Sequence, residues 1–492
     1  MPSITEPDEQ AAEHATGHAL KRNVLGAWGM AFLVIAIAAP LSASATGIAL
    51  TIGLGNGTGA PGAFLLIALI LIVFAVGFAA MSRYVTNAGA FYAYVGAALG
   101  YRMGAATGYV ATLSYNLLCA FTFGISGFYG AQAINDTFGT SVPWWAVAFA
   151  FIVIAFAMGY FGTEIGARIT GTLLVIECAF LLLIDGSILV NRGIGAFSFE
   201  VFSPGNVFSG SIGIALVSAF LSFIGFEATA IFGEEAKDPK RTVARATRIA
   251  IIVTGVLFVF TAWAVIANYG PEQAVDIATG PDAGSMFVTA ITDNLGAFGN
   301  VAFSVLIVTS SIALVAANHG AASRYLFAMS RAQLGPRGLA KVHPRYRSPH
   351  IAQIVQALFC AILLAIWAVL GLDPFLHMGI LGTLGAIGVV LLQTLVSLAV
   401  IVFFRRRRDR RVGTTLIAPI IAGLAQLTIL VLAVAAWPTL IGFSLLPLQL
   451  VPFALVVMGL IGWVVASVRG PREGEFPLRS EQELRLQEER AA

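Results

Sequence analysis

Charge is what this sequence has least of. Asp, Glu, Lys and Arg make up 11% of its 492 residues, where a soluble globular domain carries about 25%. Hydrophobic residues make up 58%, and the mean hydropathy is +0.88. So little charge cannot cover a water-exposed surface, which excludes a soluble enzyme or a nucleic-acid-binding domain and reads as a polytopic membrane protein. Cysteine is scarce too. Cys119, Cys178 and Cys360 are scattered through apolar segments, without CxxC spacing or a sequence-adjacent histidine, so they read as buried free thiols. Residues 1–20 lack a basic segment followed by a small-residue cleavage site, and no removable signal peptide is expected. Also missing are the repeated pore loop or arginine-rich helix of a channel. No metal cluster, nucleophile–base pair or cofactor motif points to an enzyme, so no cofactor is expected.

What the chain does have is apolar spans. Twelve are read, near residues 26–53, 63–81, 102–132, 143–161, 165–190, 207–235, 246–269, 299–329, 352–370, 375–404, 416–437 and 444–468. Tails at 1–22 and 469–492 flank a core at 23–404 and a further pair of spans within 405–468. Of the 28 Lys and Arg, every one but Arg192 falls on one side of this arrangement. The positive-inside rule then puts both termini in the cytoplasm, which an even number of spans requires. The expected setting is the inner cell membrane, with the lipid bilayer as solvent.

Two spans carry signals of a broken helix. Span one has Pro40 followed by Ser42-Ala43-Ser44-Ala45-Thr46-Gly47, and span six has Ser222-Phe223-Ile224-Gly225. Proline removes a backbone donor and clashes with the preceding turn, and loosened backbone in a membrane is tolerated only inside protein or around a cavity. The two lie five spans apart, so they correspond if spans one to five and six to ten are repeats. Interrupted helices at corresponding positions are the best sequence pointer to a transporter's binding site. Freed amides at a half-helix N-terminus suit a carboxylate, and freed carbonyls suit an ammonium group. A zwitterionic amino acid or a related amine is therefore the expected small-molecule partner. The expected backbone ligands are Ser42, Ala43 and Ser44 in span one, with Phe220, Leu221 and Ile224 in span six.

Two carboxylates are buried by their position. Glu227 lies seven residues inside Glu234, about 10 Å deeper along a helix, and Glu177 lies nine beyond Arg168, about 13 Å. Ionisable residues at such depth are functional candidates by default. Both are expected to couple transport, to protons rather than sodium, and Glu227 also to contact the substrate or act as a proton switch. In span three, Tyr109, Thr112, Tyr115 and Asn116 form a polar stripe, with Tyr115 the candidate that faces the site. Asn318, His319 and Ser323 in span eight read as a hydrogen-bonded helix end, and His377 is left without a role. A sodium-coupled symporter, an exchanger, and an amino acid receptor that moves nothing are the alternatives left open.

The chain resembles the amino acid–polyamine–organocation permeases. The similarity rests on Ser222-Phe223-Ile224-Gly225-Phe226-Glu227 with Glu234-Glu235-Ala236-Lys237-Asp238-Pro239. Further matches are Ser323-Arg324-Tyr325-Leu326-Phe327-Ala328-Met329-Ser330-Arg331, Pro61-Gly62-Ala63-Phe64, and Asn87-Ala88-Gly89-Ala90-Phe91-Tyr92-Ala93-Tyr94. The resemblance implies an all-α fold of twelve transmembrane helices, a leucine-transporter-type five-plus-five inverted repeat with two C-terminal helices. It also implies substrate held between broken spans one and six. Two departures stand out. Ala39-Pro40-Leu41-Ser42-Ala43-Ser44 replaces the family's glycine-rich span-one motif, and Glu177 stands where proton-coupled members often carry a lysine.

Overall fold

In lipid each backbone N–H and C=O has to be satisfied inside its own segment, and a helix does this without neighbours. The computed structural model describes residues 26–85, 91–161, 167–227, 229, 239–441 and 446–470, and every regular element among them is a helix. Ten helical runs among the described residues are long and apolar enough to cross a membrane, and two apolar helices are shorter. The short ones are α1 (Ala27–Ala38) and α8 (Ile212–Phe223). They fall in spans one and six, the two whose sequences carry helix-breaking signals.

Span one continues after a break as α2 (Pro40–Leu50). A π turn at Thr51–Asn56 and a 3-10 turn at Gly57–Gly59 lead into α3 (Ala60–Met81). Then come α4 (Phe91–Leu99), α5 (Tyr101–Phe138), α6 (Trp144–Phe161) and α7 (Ala167–Arg192). Beyond α8 follow α9 (Pro239–Tyr269), α10 (Met286–Arg331), α11 (His350–Val369), α12 (Pro374–Arg406), α13 (Ala418–Ile441) and α14 (Ala454–Arg469). Several boundaries differ from expectation: span seven opens at Pro239 rather than 246, and span twelve at Ala454 rather than 444. The third span reaches Phe138 rather than 132, because no helix breaker intervenes before Gly139, whose φ of 63° ends it. Span eight starts at Met286 rather than 299 and is bent at Gly296, where φ is 61°.

The 38-residue α5 is the central post, packed by α6, α10, α12 and α14. α2 lies against α8, α10 and α7, while α1 lies against α9, α7 and α10. Small residues allow these close approaches, as is usual between membrane helices. A Cβ on Gly213 of α8 would come within 2.4 Å of the Leu432 backbone of α13. Phe223, Phe258 and Phe64 form an aromatic wall behind α8, with ring centroids 5.2 to 6.5 Å apart.

Amphipathic phase decides which residues of α7 face inward. Leu174, Glu177, Leu181, Ile184, Asp185 and Ile188 are buried, whereas Val175, Ile176, Leu182 and Leu183 are exposed. The buried set follows helical spacing, so both carboxylates of this helix point into the protein. The expected N-terminal tail, the C-terminal tail beyond Gly470, the cluster from Glu234 to Asp238, and Asn87-Ala88-Gly89-Ala90 lie outside the described residues.

Candidate functional site

The break in span one falls one residue before the proline. Ala39 takes the left-handed conformation, with φ 45° and ψ 73°, and Pro40 opens α2 at a position where its missing N–H costs nothing. Ser42, Ala43 and Ser44 are therefore helical, in the first turns of α2. The Ala43 amide donates to Ala39 O at 2.9 Å. Leu41 and Ser42 thus carry the amides of the helix start that remain for other partners. Sequence reasoning chose Ser42 and passed over Leu41.

In span six α8 ends at Phe223. Ile224 turns extended, with φ −59° and ψ 133°, and Gly225 has φ 122°. A Cβ at Gly225 would meet Ile37 and Ala38 of α1 at 3.2 and 3.4 Å, so only glycine lets the two breaks come together. Ser222 Oγ donates to Ala43 O at 3.3 Å, a direct tie from one broken span to the other. Phe220 is buried, while Leu221 and Ile224 are half-buried. The Leu221 carbonyl accepts from the Ile224 amide at 3.4 Å.

Glu227 is 3% exposed and fully engaged. Tyr115 donates to its Oε1 at 2.7 Å and the Gly225 amide donates to its Oε2 at 2.9 Å. Tyr115 also stacks on Tyr325 of α10, with centroids 4.8 Å apart and planes at 18°. The span-six break, α5 and α10 are so joined through one carboxyl and two rings. Of the remaining polar stripe, Thr112 and Asn116 donate to carbonyls of α5 itself, and Tyr109 donates to Leu334 O. Those three are satisfied elsewhere and are not brought to the breaks.

Glu177 is also buried, and the Ser310 hydroxyl of α10 and the Leu41 amide at the start of α2 face it. Its Oε2 and Ser310 Oγ both lack a hydrogen-bond partner. The carboxyl therefore sits at the positively polarised end of α2. Further buried hydroxyls without partners cluster on the same helices: Ser42, Ser44 and Thr46 on α2, Ser218 on α8 and Ser126 on α5. Buried polar groups are nearly all paired in folded proteins, so the unpaired hydroxyls of Ser42 and Ser44 beside the break in span one point to a polar ligand.

His319 of α10 bonds through Nδ1 to Gln356 of α11, and Gln356 donates to Cys360 Sγ at 3.0 Å. Asn318 and Ser323 donate to carbonyls of their own helix. From span eight, then, Ser310 and Tyr325 lie toward Glu177 and Tyr115, while Asn318, His319 and Ser323 form the hydrogen-bonded set read from the sequence. His377 caps back to Asp373 O. Asp185 of α7 was overlooked from sequence, although a lone acid among Leu and Ile was its signal. It is fully buried and accepts from Thr261 Oγ1 of α9 at 2.9 Å. No group of three or more His, Cys, Asp or Glu suited to a metal occurs among the described residues.

The chain is an all-helical, multi-pass membrane protein in which two interrupted helices come together. The amino acid permease family model matches residues 25–465, and the chain belongs to that family. It is 29% identical over 239 residues to an uncharacterised transporter of Mycobacterium tuberculosis, covering 48% of this chain and 52% of the relative. The chain thus matches about half the length of that relative. It is 28% identical over 408 residues to the branched-chain amino acid permease of Bacillus subtilis, covering 77% of this chain and 82% of that one. A low-affinity putrescine importer of Escherichia coli is 24% identical over 296 residues, 57% of this chain and 62% of the importer.

Proposed function

We propose that this chain is a proton-coupled secondary transporter that moves an amino acid or related amine across the inner cell membrane by alternating access. The observation that carries the reading is the pair of unpaired hydroxyls, Ser42 and Ser44, beside the break in span one, which Ser222 ties to the break after α8. The relatives named as an amino acid permease and a putrescine importer support the substrate class. In this reading the twelve spans form two inverted five-span repeats plus two further helices, with both termini cytoplasmic.

The substrate carboxylate meets the amides that open α2, where the helix dipole favours negative charge. The ammonium group meets carbonyls freed at the end of α8, with Tyr115 and Phe220 beside it. Glu177 shares the start of α2 through Leu41. An ionised Glu177 competes there with the substrate carboxylate, and a protonated Glu177 gives the helix end over to it. Proton and substrate then load together. Glu227 holds the span-six break to Tyr115, so a change in its protonation alters the tie between α5 and that break.

The test is uptake into proteoliposomes under imposed gradients, comparing the parent with Glu177→Gln and Glu227→Gln. Both variants are expected to fold and to lose pH-driven accumulation. Unchanged uptake in both overturns the coupling roles. Accumulation driven by sodium or counter-substrate alone replaces the reading with a symporter or an exchanger, and binding without accumulation makes the protein a receptor.

A further inference from the structure

Asp185 has no place in the reading above, and its surroundings call for one. It lies on the inward face of α7, eight residues beyond Glu177 and seven before Arg192 at the helix end. At 1.5 Å per residue that is about 12 Å from Glu177 and about 10 Å from the end of the span. Its side chain is fully buried, Oδ2 accepts from Thr261 at 2.9 Å, and Oδ1 has no partner.

The helices packed on α7 are α1, α2, α9 and α10. α1 and α2 contain no titratable side chain. α9 presents Thr261. Its Lys240, Arg241, Arg245 and Arg248 stand 13 or more residues away, about 20 Å or further along the axis, and Tyr269 stands about 12 Å away. On α10 the titratable groups are Asp293, His319, Arg324, Tyr325 and Arg331. His319 is tied to Gln356 and Tyr325 stacks on Tyr115. Arg192 is turned to Asn268, to which it donates at 3.2 Å. Among the described residues, Asp185 has no ion-pair partner, and its one hydrogen bond comes from Thr261. A buried carboxylate without a cation is poorly compensated, and intramembrane acids in that position mark proton relays.

We propose that Asp185, held by Thr261, is a second proton-loading carboxyl of this transporter, on the Arg192 side of Glu177. This rests on the proton-coupled reading above. The separation of about 12 Å is too long for direct transfer between the two acids, so Asp185 takes up a proton of its own. Binding joins that proton to an Asp185 oxygen, and release returns it to water.

The experiment uses the full-length protein in proteoliposomes, comparing the parent with Asp185→Asn, Asp185→Glu and Thr261→Val. Two modes are measured: accumulation driven by a pH step, and counterflow, which needs no net proton movement. A step of one pH unit supports about tenfold accumulation per coupled proton. Asp185→Asn is expected to lose most of that accumulation while counterflow continues. Asp185→Glu is expected to restore it, and Thr261→Val to move the pH profile. Parental accumulation and pH profile in Asp185→Asn overturn the proposal. If Asp185→Asn does not fold, an unmoved profile in Thr261→Val overturns it instead. The two readings fail differently. A parent indifferent to the pH step refutes proton coupling itself. A coupled parent, disabled by Glu177→Gln but not by Asp185→Asn, refutes this inference alone.

Discussion

Replacing Tyr115 with Phe removes one oxygen and tests the tie between α5 and the span-six break. The ring remains, so its stack on Tyr325 at 4.8 Å is retained. What disappears is the bond to Glu227 Oε1 at 2.7 Å. A hydrogen bond to a neutral partner contributes about 0.5–1.5 kcal/mol, and one to a charged partner about 1.5–3 kcal/mol. At 1.4 kcal/mol per tenfold, the equilibrium between tied and untied states should shift roughly two- to tenfold with neutral Glu227. With ionised Glu227 the shift should be roughly ten- to hundredfold. Initial uptake rates over a range of substrate concentration, at two pH values, read that difference, while melting temperature tracks the fold. Combining Tyr115→Phe with Glu227→Leu, which cannot accept from the hydroxyl, completes a double-mutant cycle, and a coupling energy of about 0.5–3 kcal/mol is expected for groups in contact. Parental uptake and melting temperature in Tyr115→Phe, or strict additivity in the cycle, would refute the reasoning.

Other substitutions test the remaining geometry. Gly225→Ala puts a side chain at φ 122° and against Ile37 and Ala38. A strain of about 1–3 kcal/mol should lower the melting temperature and cut transport. Parental behaviour would show that the breaks do not need this close approach. Gly213→Val drives Cγ atoms into the Leu432 backbone, and overpacking of about 1–3 kcal/mol should appear as lost thermal stability in detergent. Gln356→Leu keeps the volume but strips His319 and Cys360 of their shared partner. Leaving buried polar groups unpaired costs about 1–3 kcal/mol, so the melting temperature should fall while substrate affinity stays within about twofold. A large affinity change would place this cluster in the site.

Parts of the candidate site stood out in the sequence because lipid makes certain residues expensive. Glu177 and Glu227 are conspicuous in apolar spans, and Gly225 marked the break in span six. The proline in span one misled by a short distance. Proline reads as a breaker of the helix it occupies, but here it starts one, since the first helical position needs no donor. The small residues after it then serve as packing surface: a Cβ on Gly47 would lie 2.1 Å from Ser222 Oγ. Asp185 was passed over although it lies seven residues inside Arg192, a depth like that of Glu227 inside Glu234. Its phase against Glu177 puts it on the buried stripe of α7.

The sequence by itself determined that this chain is a helical, multi-pass membrane protein, because its apolar runs exclude any other way of satisfying the backbone in lipid. It also marked the two interrupted spans, since glycine, proline and mid-span carboxylates are local signals. Only the tertiary structure decided which groups meet. Tyr115 reaches Glu227 across 112 residues, Thr261 reaches Asp185 across 76, and His319 meets Gln356 across 37. Such pairs depend on the rotation and depth of whole helices packed against one another. Hydropathy places a residue inside a span, but the neighbouring helix decides what it touches.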